Sequence, residues 1–183
     1  MVACLGVVDD LGGKVFIVDA MPYLRSQLWA LQHRNQESGI NWPLQLGGIL
    51  LTHAHTGHYV GLLQLGKEAA DASDVLVFCT PSMASFLRHS HPWAKLVERG
   101  NVRLTERTRG ARRLTASVSF LPVPVPHRAE LSNTVAYLIT ASRTRASTDI
   151  ARSDLEHALR LFYCLDRDGW SGRKRALKTD ARR

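Results

Sequence analysis

The strongest constraint on the fold is a group of histidines that directly follows an apolar segment. Residues 48–62 read GILLTHAHTGHYVGL, and His53, His55 and His58 fall within six positions. Residues two apart on an extended segment point to the same side, so His53 and His55 can face one point, and His58 can turn back toward it from the next helix. Because Zn²⁺ accepts imidazole nitrogen as a ligand, we predict a metal site in this segment.

The pattern around the histidines predicts a layered α/β domain. Short apolar runs predict strands at 14–20, 47–52, 74–79, 101–106, 116–126, 132–140 and 161–165. Helical spacing predicts helices at 22–33, 59–71, 81–89 and 91–100, and Thr80 followed by Pro81 is typical of a helix start. Strands that alternate with helices favour an α/β architecture.

Composition is that of a globular protein. Of the 183 residues, 45% are hydrophobic and 22% are charged, and no apolar run approaches the roughly 20 residues that span a bilayer. The N-terminal sequence lacks the basic start of a signal peptide, so we expect a cytoplasmic protein without membrane contact. Cys4, Cys79 and Cys164 are isolated from one another in the sequence, which favours reduced thiols.

Basic residues are concentrated in two segments, at 99–113 and 171–183. Each segment holds six basic residues and one acidic residue within a net charge of +8. Such clusters can bind phosphates or nucleic acid, but they are also common on solvated loops and tails. We expect residues 1–170 to form one domain and residues 171–183 to form a disordered basic tail.

Further metal ligands must come from distant parts of the chain. His127 lies in a short loop between two predicted strands, and Asp166 and Asp168 follow the last predicted strand. Taken singly, such a histidine can equally be an exposed loop residue, and such carboxylates can be turn or cap residues. Both interpretations remain open on the residues alone.

Taken together, these segments resemble the metallo-β-lactamase superfamily. Its signature His-x-His-x-Asp-His is matched by HAHTGH at 53–58, with Gly57 in place of the aspartate. Within the superfamily, the sequence is most similar to the branch of pyrroloquinoline quinone synthesis protein B. The stretches that carry this resemblance are IVDAMPYLRSQL, GILLTHAHTGHYVGLLQLGKE, TPSMASFLRHSHPWAKL, VPHRAELSNTVAYLI and LDRDGW.

The resemblance implies an incomplete four-layer αβ/βα sandwich with the site at one edge of two sheets. It implies that His53, His55 and His127 bind a first metal. It also assigns His58 to a second metal and Asp166 to a bridge between the two metals, with Asp168 as the alternative. His58 and Asp166 would be the catalytic residues.

The implied activity is hydrolysis of a small molecule by a water that Zn²⁺, or Fe or Mn, activates to hydroxide, with a link to pyrroloquinoline quinone synthesis. Because Gly57 has no side chain to bind a second metal, we expect one ion. One alternative is a non-catalytic member that binds one metal or none. Nucleic-acid processing is a further alternative, and it is disfavoured because the nuclease branches keep the aspartate that Gly57 replaces.

Relative to the superfamily, we expect a chain truncated at both ends. It would lack the first glycine-rich hairpin and the closing histidine, and its segment at 141–160 differs from the tight turn of the family. Missing strands would leave apolar surface and a sheet edge uncovered, so we expect a homodimer or marginal stability.

Overall fold

The computed structural model describes residues 4–37, 45–127, 130–141 and 159–163. Its strands are β1 (Leu5–Asp9), β2 (Lys14–Val18), β3 (Gln45–Leu50), β4 (Val75–Cys79), β5 (Val102–Glu106), β6 (Arg112–Arg113), β7 (Val118–Pro124), β8 (Val135–Ala141) and β9 (Leu159–Tyr163). Its helices are α1 (Leu24–Glu37), α2 (Thr56–Tyr59), α3 (Pro81–His89) and α4 (Trp93–Glu98), and a 3₁₀ helix covers Val60–Leu65.

The strands form two sheets. The mixed sheet has the order β1-β2-β3-β4-β5; β1 is antiparallel to β2, and the other neighbours are parallel. The antiparallel sheet has the order β6-β7-β8-β9. Parallel neighbours need crossover connections, and the helices supply them, so the predicted α/β class is confirmed.

Alternation along the strands of the mixed sheet divides the core in two. Val15 and Ile17 of β2 belong to the cluster that packs against the helices, whereas Phe16 and Val18 pack toward the antiparallel sheet. Successive side chains of a strand point to opposite faces, so one sheet serves both clusters. The described residues thus stack as helices, mixed sheet and antiparallel sheet, in the layer order of the predicted sandwich.

Tyr137 of β8 connects the two sheets across the second cluster. Its ring is 1% exposed, and its hydroxyl donates a 2.7 Å hydrogen bond to the carbonyl of Leu51. Burial raises the pKa of Tyr137 well above the ordinary value of 10.0, so the hydroxyl remains a donor. Since Leu51 lies two residues before His53, this bond fixes the start of the histidine segment, residues 53–58, relative to β8.

Helix α3 begins as its sequence predicts. The side chain of Thr80 accepts a 3.2 Å hydrogen bond from the amide of Met83, and Pro81 occupies the first turn. The residues of the short helix α4 were also predicted, and Gly100 follows it with φ of 73°. This left-handed conformation favours glycine.

The helix predicted at 59–71 is wrong in type and length. The chain instead forms the four-residue α2 and a 3₁₀ helix that ends at Leu65. Gly61 explains the difference, because its amide donates to the carbonyl of Ala20 at 2.9 Å. A Cβ at position 61 would lie 1.9 Å from the carbonyl oxygen of Met21, so this contact with the loop after β2 requires glycine.

The described chain begins with a hairpin whose first strand was not predicted from the sequence. Strands β1 and β2 pair from Leu5↔Val18 to Asp9↔Lys14, and the turn between them ends at Gly13 with φ of 69°. Val7 and Val8 supply the β-branched residues of a strand.

Several sequence predictions lie outside the described residues. They are Asp166, Asp168, Cys164, most of the unusual segment at 141–160, and the basic tail. Cys4 and Cys79 are free thiols, as predicted, and burial raises the pKa of Cys79 to about 12. Among the described residues, no helix has the length and apolar character needed to cross a bilayer.

Candidate metal centre

The histidine segment lies at the carboxyl end of β3, beside the carboxyl end of β2. In open α/β sheets, ligands bind at this edge. The loop between β7 and β8 reaches the same edge, where the amide of Val135 donates to the carbonyl of Thr52 at 3.1 Å. The Ser132 hydroxyl accepts a 2.9 Å bond from the amide of Ala54. Two backbone segments from different sheets are therefore held side by side.

His53, His55 and His127 meet at this junction. One ring nitrogen of each lies within 4.8 Å of the others, with His53 Nε2 to His55 Nδ1 at 2.8 Å and His127 Nε2 to His55 Nδ1 at 3.4 Å. The predicted convergence of imidazoles from two separate loops is confirmed. The binding of a metal by these residues remains a prediction.

This donor set fits a zinc ion. Nitrogens bound at about 2.0–2.1 Å in a tetrahedron lie about 3.3 Å apart; two of the three separations here are 2.8 and 3.4 Å, and all three are within 4.8 Å. Three histidines leave a fourth position open, which is the pattern of a catalytic site rather than a closed structural one. Among the described residues, His53, His55 and His127 form a group that could hold a metal ion.

Hydrogen bonds to Asp19 determine how His53 is oriented. The amide and the hydroxyl of Thr52 each lie 2.9 Å from Asp19 Oδ1, and Thr52 Oγ1 lies 2.8 Å from His53 Nδ1. A hydroxyl has one proton to donate. Because Thr52 donates it to the carboxylate, Oγ1 accepts from His53 Nδ1–H, and the lone pair of His53 Nε2 faces the other histidines.

His58 is bound to the same carboxylate. Its Nδ1 lies 2.9 Å from Asp19 Oδ2, and its ring centroid lies 4.2 Å from that of His53. The carbonyl of His58 accepts a 2.7 Å bond from the amide of Ala20, so both main chain and side chain connect it to the loop after β2. The role of His58 at a second metal stays a prediction.

Asp19 is fully buried and has a left-handed backbone, with φ of 65°. Aspartate is among the residues that tolerate this conformation. Burial raises the pKa of Asp19, whereas hydrogen bonds from His58 and Thr52 act in the opposite direction. A carboxylate in this position stabilises two neighbouring side chains at once, because it accepts from both.

His55 lies on the open side of the cluster. Its side chain is 31% exposed, and its Nε2 lies 3.2 Å from Oε2 of Glu130, whose side chain is 59% exposed. His53 by contrast is 1% exposed. The centre therefore has a buried half, formed at the ends of β2 and β3, and an exposed half that includes the β7–β8 loop.

Gly57 lies inside α2, between Thr56 and His58. It offers no ligand atom at the position where the superfamily signature has aspartate. Asp166 and Asp168, the predicted carboxylate ligands, are outside the described residues.

A cavity of about 300 Å³ adjoins the cluster. His127 lines it together with residues 124–126, residues 133–135, Thr80 and Thr108. The wall combines proline and valine side chains with threonine hydroxyls, which is the mixture found in small-molecule sites.

Two arginines of the basic segment at 99–113 are ion-paired. Arg99 lies 3.2 Å from Glu68, and Arg103 lies 2.9 Å from Asp74. These pairs reduce the positive charge that the segment can offer to a polyanion.

Three residues of the centre were missed by sequence analysis. Asp19 and Thr52 were treated as strand ends, and Glu130 was not considered. A usable signal existed for the first two, since an acidic residue and a hydroxyl follow apolar strands that are neighbours in a parallel sheet.

Comparisons with known proteins add to this geometry. A family model described as a beta-lactamase superfamily domain matches residues 14–166. The solved structure of Zn²⁺-bound PqqB from Methylobacterium extorquens aligns with a TM-score of 0.55 and 18% identity, over 76% of this chain and 45% of that one. A comparison with curated proteins gives no match.

Two other solved structures are less similar. One is a diphosphatase from the PhnP family, with a TM-score of 0.46 and 22% identity over 68% of this chain and 44% of that one. The other is a metallo-beta-lactamase from Staphylococcus aureus subsp. aureus COL, with a TM-score of 0.45 and 10% identity over 75% and 38%. The chain spans less than half the length of each of the three structures.

Proposed function

Because this chain belongs to the metallo-β-lactamase superfamily, we propose that it is a metal-dependent hydrolase that acts on a small molecule. The observation that carries the proposal is the meeting of His53, His55 and His127, whose ligand nitrogens lie within 4.8 Å of one another. The three come from two loops that are 72 residues apart in sequence. A shared metal ion accounts for the meeting of three imidazoles from distant parts of the chain at one point.

We propose that the centre holds a single ion, with zinc as the first choice. Three neutral imidazoles suit Zn²⁺, and Gly57 removes the usual aspartate ligand of a second ion. Iron and manganese remain in the proposal as alternative occupants. His58 is committed through Nδ1 to Asp19, so only its Nε2 remains as a possible ligand atom.

When bound, Zn²⁺ supplies a Lewis acid that polarises a carbonyl or phosphoryl oxygen and activates water near neutral pH. The residues of this chain bind the ion and orient its histidine ligands. Thr52 holds His53 in the tautomer that directs Nε2 at the cluster, and Asp19 holds Thr52 and His58. The cavity beside His127 would hold the part of the substrate next to the reacting bond.

The likeness to Zn²⁺-bound PqqB and the sequence resemblance to that branch support a more specific proposal, a role in pyrroloquinoline quinone synthesis. This proposal depends on the hydrolase or related metal chemistry being present. It is therefore secondary to a demonstration that the histidines bind metal.

Metal analysis of the purified protein tests the metal centre. We expect about one zinc, iron or manganese ion per chain in the wild type and a loss of that ion in His55→Ala and His127→Ala. The matched control is His89→Ala, because His89 lies on α3 and bonds to the carbonyl of Ser85 rather than to the cluster. Wild-type protein without metal, or equal metal in all four proteins, would contradict the metal site.

Turnover tests the hydrolase. Ester, lactone and phosphodiester chromogenic substrates should be hydrolysed, and a chelator should abolish the rate until metal is restored. Protein that binds one ion per chain but hydrolyses none of these substrates would favour the non-catalytic alternative, in which the same histidines only bind metal.

A further inference from the structure

We propose that Glu130 is a positioning residue that holds the ring of His55 in the tautomer and orientation needed to bind the metal through Nδ1. This inference rests on the proposed metal centre and adds to it a residue outside the superfamily signature.

The two nitrogens of His55 face different partners. Nδ1 lies 2.8 Å from Nε2 of His53 and 3.4 Å from Nε2 of His127, so it is the ligand atom of the cluster. Nε2 points away from the cluster and lies 3.2 Å from Oε2 of Glu130. The ring therefore forms a bridge between the cluster and a carboxylate.

The chemistry of the carboxylate decides which nitrogen of His55 carries the proton. An ionised carboxylate only accepts hydrogen bonds, and a neutral imidazole has one donor nitrogen and one acceptor nitrogen. Nε2 must therefore be the donor to Glu130, which leaves the lone pair on Nδ1. That lone pair is directed at the point where the other two histidines converge.

The partner of His53 provides an internal comparison. His53 is oriented by the hydroxyl of Thr52, a neighbour on the same buried segment. His55 is oriented by Glu130, which belongs to the loop between β7 and β8 and lies 75 residues further along the chain. His53 and His55 thus each have an oxygen on the side away from the cluster, and for His55 this oxygen also joins the segment after β3 to the loop that carries His127.

The effect belongs to metal affinity and not to folding. Both groups are partly exposed, and exposed ion pairs add little to the free energy of unfolding. Outer partners of metal-binding histidines, in contrast, commonly change metal affinity by about 10–100-fold. The two quantities can be measured separately.

The test compares Glu130→Ala, Glu130→Gln and wild type. Zn²⁺ dissociation constants would be measured by competition with a chromophoric chelator on protein that was first stripped of metal. We expect Glu130→Ala to bind Zn²⁺ about 10–100-fold more weakly, and Glu130→Gln to lie between it and the wild type, because an amide oxygen still accepts a hydrogen bond but carries no charge.

The matched control is Glu106→Ala. Glu106 is a partly exposed glutamate that pairs with Arg88 at 2.7 Å, away from the histidines, so its loss should leave Zn²⁺ affinity unchanged. Melting temperatures of all variants should stay close to that of the wild type. Equal Zn²⁺ affinity in Glu130→Ala and wild type would overturn the role of Glu130, whereas failure of the wild type to bind Zn²⁺ would instead contradict the metal centre itself.

A second measurement does not depend on metal. Nitrogen-15 NMR of the histidine rings in metal-free protein should show His55 as the Nε2–H tautomer in the wild type and as a mixture of tautomers in Glu130→Ala. A ring that keeps the same tautomer without Glu130 would also overturn the inference.

Discussion

Asp9 and Asp19 lie at opposite ends of the β1–β2 hairpin, and both are buried, at 2% and 0% exposure. Asp9 closes β1 beside the turn, and its Oδ1 accepts a 2.7 Å bond from the hydroxyl of Ser117. Asp19 follows β2 and accepts from Thr52 and His58. Each carboxylate therefore connects the hairpin to another part of the chain.

The two environments act differently on the carboxylates. Burial raises the pKa of Asp9, but bonds from the hydroxyls of Ser117 and Thr115 and from the amides of the adjacent turn outweigh it, and the net pKa lies below the ordinary value of 3.8. For Asp19, complete burial outweighs the bonds from His58 and Thr52, and the net pKa is raised.

Each buried aspartate, with its hydrogen-bond partners, forms a joint between the hairpin and another part of the chain. The Asp9 joint has a structural role only, whereas the Asp19 joint also positions residues of the candidate metal centre. The hydrogen-bond partner of Asp9 Oδ1 is the hydroxyl of Ser117, which precedes β7. The partners of Asp19 lead to His53 through Thr52 and to His58 directly. Burial of a carboxylate is thus common to both ends, and the identity of its partners shows which end positions metal ligands.

The largest expected effect is that of Asp19→Ala. It leaves the amide and hydroxyl of Thr52 and the ring of His58 without their acceptor, and each buried donor left unsatisfied costs about 1–3 kcal/mol of the free energy of unfolding. Urea unfolding measures the loss, and metal analysis of the folded fraction should show weaker binding.

Asp19→Asn is a milder variant of the first change, because it keeps the side-chain shape. The matched change at the other end of the hairpin is Asp9→Ala. Asp9→Ala should cost about 1.5–3 kcal/mol, the range for hydrogen bonds to a charged group, and it should leave metal content unchanged. A larger loss of stability or of metal in Asp9→Ala than in Asp19→Ala would reverse the comparison.

A smaller effect is expected for Thr52→Val, which keeps the side-chain shape but removes the hydroxyl between Asp19 and His53. The unfilled partners should cost about 1–3 kcal/mol, and Zn²⁺ affinity should fall because the tautomer of His53 is no longer determined. Thr52→Ser restores the hydroxyl and should restore affinity.

Ser117→Ala is the equivalent change at the Asp9 joint. It removes the 2.7 Å bond to Asp9, so it should reduce stability by a similar amount without any change in Zn²⁺ affinity. If Thr52→Val and Ser117→Ala had the same Zn²⁺ affinity, the proposal that Asp19 orients His53 through the hydroxyl of Thr52 would be wrong.

The parts of the fold that were predicted from sequence are those decided by local pattern. The apolar runs of β2 to β5 and the Thr80–Pro81 start of α3 contain their own signals. The 3₁₀ helix at Val60–Leu65 could not be predicted in this way. It depends on the contact of Gly61 with the carbonyls of residues 20 and 21, and those carbonyls are about 40 positions away in sequence.

The residues of the candidate centre likewise differ in whether local sequence reveals them. His53 and His55 were identified by their spacing, and His127 by its place between two strands. Asp19 and Glu130 were not assigned roles, because their partners are 39 and 75 residues away in sequence. Only the pairing of β2 with β3, and the approach of the β7–β8 loop, bring these carboxylates to the histidines.

The smallest expected effect is the dependence of the Asp9 joint on pH. Because the pKa of Asp9 is lower in the folded protein than the ordinary value of 3.8, its ionised form stabilises the fold. That contribution is fully present above the unfolded pKa and is lost as the pH falls through the lower folded pKa. Asp9→Asn lacks it at every pH, so the difference in unfolding free energy between wild type and Asp9→Asn should be largest near pH 6 to 7, by about 1–2 kcal/mol, and should shrink below about pH 4. Urea unfolding of both proteins across this pH range measures the difference. A difference in unfolding free energy that grows toward low pH would mean that the folded protein favours protonated Asp9. The pKa values of the two buried aspartates would then be shifted in the same direction.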